Sequence, residues 1–67
     1  MIAITVNGES RQFQSAPTIA QLVESLDLAG KRIAIERNGE IVPRSRYPEL
    51  TVTDGDALEV VVAVGGG

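Results

Sequence analysis

The chain has 67 residues, 43% of them hydrophobic and 22% charged, with a formal net charge of −3, which is room for one small globular domain with a marginal core. It contains no cysteine and no histidine, and this removes the disulfide staple, the thiolate nucleophile, the usual zinc site and the commonest general base. The acidic balance argues against nucleic acid or an anionic membrane as partner, and the longest apolar run, Val60 to Val64, is far short of a membrane span.

In chain order, Ile2, Ile4 and Val6 alternate with Ala3, Thr5 and Asn7, the period of a half-buried strand. There is no basic, apolar leader pattern in this stretch, so no signal peptide is expected and the domain is expected to be soluble and cytoplasmic. Asn7-Gly8 is a strong two-residue hairpin signal, and a return strand is expected over Glu9 to Gln14, with Phe13 facing inward. Ala16-Pro17 breaks it. Thr18 and Gln21 have capping-box spacing, and Ile19, Leu22, Val23 and Leu26 fall on one stripe of a helix expected over Thr18 to Leu28, with Gly30 as terminator.

A third strand is expected at Ile33 to Arg37, a second hairpin turn at Asn38-Gly39, and a return over Glu40-Ile41-Val42 that Pro43 ends. Arg44 to Leu50 reads as irregular, with a short turn near Tyr47-Pro48-Glu49. Thr51 to Thr53 leads to the turn Asp54-Gly55-Asp56, and a final strand runs from Ala57 to Val64, apolar on both faces apart from Glu59 as befits a central strand. The helix can bury its stripe only across one face of the sheet. The expectation is therefore an α+β fold of the β-grasp type, a mixed sheet of about five strands with one main helix, the last strand lying parallel beside the first. The domain would span residues 1–64. Its inward set would be Ile2, Ile4, Val6, Phe13, Ile19, Leu22, Val23, Leu26, Ile33, Ile35, Ile41, Leu58, Val60 and Val62.

Chemistry-bearing features are few. Asp54 and Asp56 read as turn carboxylates, solvated or bonded to local N–H groups, before they read as a metal or acid/base pair. Arg44 and Arg46 read as a solvated loop. The serines have no histidine with which to form a nucleophilic pair. No metal site is expected. The informative feature is Gly65-Gly66-Gly67 directly after the last strand. Three glycines cannot continue the strand stably, so residues 65–67 are expected to form a flexible tail about 10 Å long when extended, able to thread a narrow channel. On the outward side of the last strand, Val61 and Ala63, with Ala3 of the first strand beside them, form an expected apolar docking face.

With Ile33-Ala34-Ile35-Glu36-Arg37-Asn38-Gly39, Ile41-Val42-Pro43-Arg44 followed by Tyr47, Asp54-Gly55-Asp56 and Val64-Gly65-Gly66-Gly67 in that order, the chain resembles the thiamin-biosynthesis sulfur-carrier (ThiS) family over essentially its whole length. Tyr47 stands where the family often has Trp. The resemblance implies a carrier with no catalytic residue and no bound cofactor of its own. A ubiquitin-activating-like adenylyltransferase would use ATP and Mg²⁺ to adenylate the Gly67 carboxylate. Sulfur-delivery proteins would convert it to a thiocarboxylate, and thiazole synthase would receive the sulfur, with Gly65 and Gly66 inserted into each partner. The free protein would be a monomer. Alternatives are the carrier of molybdopterin synthesis or another acceptor, a ubiquitin-like protein modifier, and a binding module with an inert tail.

Overall fold

Two short hairpins and one helix account for most of the chain, and in a computed structural model their geometry is described for residues 1–63. β1 (Ile2–Val6) and β2 (Glu9–Phe13) pair antiparallel. β3 (Ile33–Arg37) and β4 (Glu40–Ile41) do the same. Each turn is an Asn-Gly pair with positive φ at both residues: 52° and 83° at Asn7-Gly8, 52° and 89° at Asn38-Gly39. That is the type I′ geometry whose twist matches the flanking strands.

β5 (Ala57–Val62) lies between the hairpins, giving a five-stranded sheet in the order β2-β1-β5-β3-β4. It runs parallel to β1, with Thr5 level with Ala57, and antiparallel to β3, with Val61 level with Ala34. This is the expected α+β arrangement of β-grasp type.

The helix α1 spans Ile19–Ser25, three residues shorter at its end than Leu28. Its C-terminus is a Schellman motif: Asp27 has φ of 60°, its N–H donates to the Glu24 carbonyl at 3.0 Å, and the Leu28 N–H donates to the Val23 carbonyl at 3.1 Å. Asp enters the left-handed region more readily than most residues, so the helix stops at Asp27 and does not wait for Gly30.

The N-terminus is satisfied donor by donor. Thr18 and Gln21 form the expected capping box at 2.9 and 3.1 Å. The Ile19 N–H donates to the Leu50 carbonyl at 2.8 Å and the Ala20 N–H to the Tyr47 carbonyl at 2.9 Å. The segment expected to be irregular is thus docked on the helix start. It opens with a 3₁₀ turn at Arg44–Arg46 and delivers Tyr47 to the core, and Val52, just beyond it, is buried as well.

The core holds Ile4, Ile19, Leu22, Ile35 and Leu58 fully buried, with Val6, Val23 and Val60 close behind. Ile2, Phe13, Leu26 and Ile33 pack partly against them. Two residues expected inside are not. Ile41 is 66% exposed because the two-residue turn pairs it with Glu36, on the outer face. Val42, whose N–H donates to the Ile35 carbonyl at 2.8 Å, takes the buried place. Val62 is 41% exposed; it pairs with Ile33 and lines an open cleft with Leu26 and Leu28, just past the end of α1.

Candidate functional site: the last strand and its outer face

β5 is the strand that leads to the glycines, and both of its flanks are fastened by turn residues. On the β1 side the backbone ladder ends at the hairpin turn, and the side-chain amide of Asn7 replaces it. Nδ2 donates to the Val60 carbonyl at 3.0 Å and Oδ1 accepts from the Val60 N–H at 2.7 Å. On the β3 side the Asn38 Oδ1 accepts from the Ala57 N–H at 2.9 Å, and the Ala63 N–H donates to the Arg32 carbonyl at 2.8 Å. Buried backbone donors and acceptors on a central strand need such partners. The strand is therefore held on both sides as far as Val60, and on the β3 side up to Ala63, the last described residue.

The start of β5 is anchored by the two aspartates. Asp54 Oδ1 accepts from the Ala3 N–H at 2.7 Å. Asp56 is buried, and its carboxylate accepts from the Thr53 N–H at 2.8 Å, from Asn38 Nδ2 at 3.0 Å and from Arg37 Nε at 2.9 Å. The expected bonding to a local N–H is made by Asp56, with Thr53; the bond of Asp54 to the Ala3 N–H and the links of Asp56 to Arg37 and Asn38 are tertiary. Bonded in this way they are turn anchors, and among the described residues no group of acidic side chains is arranged to hold a metal ion. Arg46 pairs loosely with Glu49 at 3.5 Å on the surface.

The expected docking residues are not all neighbours. Val61 is 62% exposed and stands opposite Ala34, which is also exposed; Ala63 is exposed just beyond. Ala3 is half-buried at the far end of the sheet. With Thr5 level with Ala57, Ala3 is level with Gly55, six positions (61 − 55) and roughly 20 Å from Val61 along the strand. Parallel pairing of β1 and β5 separates them, and the apolar neighbour of Val61 is Ala34. The outer face also carries Ile41, which the sequence pattern had assigned to the core. Gly65, Gly66 and Gly67 lie outside the described residues. No helix among the described residues is long and apolar enough to cross a membrane.

Comparison with known proteins is consistent with this architecture. Residues 4–67 match the model of the ThiS family. The sulfur carrier protein ThiS of Bacillus subtilis is 37% identical over 65 residues, covering 96% of this chain and 98% of that protein. The sulfur carrier protein ThiS of Escherichia coli is 31% identical over 64 residues, covering 96% and 97%. A thiazole synthase of Paramagnetospirillum magneticum is 44% identical over 64 residues; the match covers 96% of this chain but spans only 20% of that longer protein. The crystal structure of the thiamine biosynthesis protein ThiS from Geobacter metallireducens superposes with a TM-score of 0.81 at 32% identity, covering 98% of this chain and all of that one. A family match across nearly the whole chain and full-length relatives above 30% identity agree with the β-grasp sheet order, and the chain belongs to the ThiS family.

Proposed function

We propose that this protein is a sulfur carrier for thiazole formation in thiamin biosynthesis, with the Gly67 carboxylate as the group that carries sulfur. The observation behind this reading is the family match, which runs through residue 67 and so includes all three glycines. A carboxylate is a poor electrophile, and activation has to come first. An adenylyltransferase joins the Gly67 carboxylate to the α-phosphorus of ATP, releasing pyrophosphate and making AMP the leaving group, with Mg²⁺ held by that enzyme. The terminal sulfur of a persulfide on a delivery protein attacks the carbonyl, forming C–S as the bond to AMP breaks. A further thiol reduces the S–S bond and frees the thiocarboxylate, which thiazole synthase consumes.

The absence of cysteine from the chain is compatible with this chemistry, because persulfide and thiol both belong to partners. The protein is substrate and carrier, without catalysis or a bound cofactor of its own, and acts in the cytoplasm as a monomer engaging partners one at a time. Gly65 and Gly66 let the chain end enter a channel too narrow for side chains. Val61 and Ala63, with Ala34 in place of Ala3, form the apolar part of the docking face for the adenylyltransferase.

Intact-mass measurement tests the reading. The protein is incubated with the adenylyltransferase, ATP, Mg²⁺ and a persulfide source. A gain equal to exchange of one oxygen for sulfur, absent when Gly67 is deleted, is the expected result. No gain with a demonstrably active partner overturns it, and covalent conjugates to other proteins would favour a modifier instead.

A further inference from the structure

Each hairpin turns on an Asn-Gly pair, and asparagine is a chemically labile residue whose amide carbon can be attacked by the next backbone nitrogen. Glycine in the following position leaves that nitrogen unshielded, because it has no Cβ. The space around both glycines is open: nothing lies within 4 Å of where a Cβ would stand at Gly8 or Gly39. Among the described residues no backbone carbonyl accepts from either glycine N–H. The nucleophile is thus unobstructed at both turns, and only the hold on the asparagine amide restrains the reaction.

That hold differs between the two. The Asn7 amide is bonded twice, at 3.0 and 2.7 Å, and both bonds go to the backbone of Val60, where the β1 ladder has already ended. The Asn38 amide donates to Asp56 at 3.0 Å and accepts from the Ala57 N–H at 2.9 Å. Asp56 is buried and is itself bonded to Arg37 and to the Thr53 N–H. Freeing Asn7 therefore takes two local bonds at one strand residue, whereas freeing Asn38 breaks into a buried polar cluster. The smaller opening is the more frequent one.

We propose that Asn7 is a site of spontaneous deamidation, restrained by its own clamp on β5, and that its conversion to a carboxylate loosens that strand. The Gly8 backbone nitrogen gives up its proton to solvent and attacks the Asn7 Cγ. A C–N bond forms, the bond to Nδ2 breaks, and ammonia leaves with a proton from solvent. Water then opens the resulting five-membered imide at either carbonyl, giving aspartate or isoaspartate, with no oxidation or reduction. A carboxylate at position 7 still accepts from the Val60 N–H, but it has no donor for the Val60 carbonyl and sets an anionic oxygen against it. Isoaspartate also lengthens the backbone within a two-residue turn whose length fixes the register of β1 and β2. No partner takes part, so the proposal stands apart from the sulfur-carrier reading.

The test is incubation of the full chain alone at mildly alkaline pH, folded and in urea, with peptide mapping that separates asparagine, aspartate and isoaspartate at positions 7 and 38. In urea both asparagines are expected to convert at similar rates. In the folded protein both are expected to slow by about tenfold or more, with Asn7 ahead of Asn38. Conversion of Asn7 as fast in the folded protein as in urea overturns the clamp. Conversion of Asn38 ahead of Asn7 in the folded protein overturns the choice of site, and no conversion of Asn7 even in urea overturns the site altogether. The product is tested with N7D, which keeps the turn and changes only the amide. It is expected to melt at a lower temperature than wild type and to exchange the Val60 and Ala63 amide hydrogens faster. Melting and exchange equal to wild type overturn the loosening of β5.

Discussion

The side-chain amide of Asn7 exchanges two hydrogen bonds with the backbone of Val60, at 3.0 and 2.7 Å, and so stands in for the strand residue that β1 no longer supplies after its turn. One residue thus closes the hairpin with its positive φ and extends the central ladder with its side chain. It holds β5 three positions before the last described residue, on the way to the glycines.

Replacing Asn7 by glycine separates these roles, because glycine keeps the positive φ and removes the amide. N7G is expected to lower stability by about 1–3 kcal/mol, the cost of leaving a buried backbone donor and acceptor without their partners. Urea unfolding followed by circular dichroism measures it. Stability equal to wild type would show that the amide clamp contributes nothing.

The two aspartates of the Asp54-Gly55-Asp56 turn are expected to respond very differently to truncation. Asp56 is buried and its loss strands Arg37, whose side chain is 26% exposed, together with the Asn38 amide. D56A is expected to cost about 2–4 kcal/mol, somewhat below a fully buried pair because Arg37 can reach water. D54A removes a single exposed bond to the Ala3 N–H and is expected to cost about 1 kcal/mol or less. Chemical denaturation of both variants side by side decides it; equal losses would contradict the burial difference.

The register of the second hairpin makes a prediction for two adjacent residues. I41S changes an exposed side chain and is expected to move stability by less than about 0.5 kcal/mol. V42A removes two buried methyl groups and is expected to cost about 2 kcal/mol. The reverse ranking in a thermal or urea melt would mean that the Glu36–Ile41 pairing is wrong by one residue.

Val61 is exposed on the outer face, so V61D is expected to fold with unchanged stability. It is expected to raise the KM of the adenylyltransferase for this protein about tenfold or more, by placing a charge in an apolar contact. Steady-state pyrophosphate release gives the KM. An unchanged value would remove Val61 from that docking face.

Much of the architecture was legible in the residues because it depends on short-range chemistry. Asn7-Gly8 and Asn38-Gly39 demand type I′ turns whatever surrounds them, and Thr18 with Gln21 carries its own capping geometry. The alternation of Ile2, Ile4 and Val6 sets the buried face of β1. The apolar run of β5 implies a central place in the sheet, and Gly65 to Gly67 draw attention to the chain end.

Tertiary structure decided the remainder, wherever a side chain's surroundings depend on what crosses it. Ile41 and Val42 are both apolar and adjacent; only the pairing of Ile41 with Glu36 sends one out and the other in. Tyr47 and Val52 sit in a stretch with no period, and they are buried because the Leu50 and Tyr47 carbonyls are needed at the start of α1. Ala3 and Val61 share the outer side of the sheet, but parallel pairing of β1 with β5 puts them at opposite ends. The facing of Glu36 and Glu59 joins residues 23 positions apart (59 − 36). Composition and spacing specify local turns and faces, whereas strand register, which brings distant residues side by side, exists only once the chain has closed on itself.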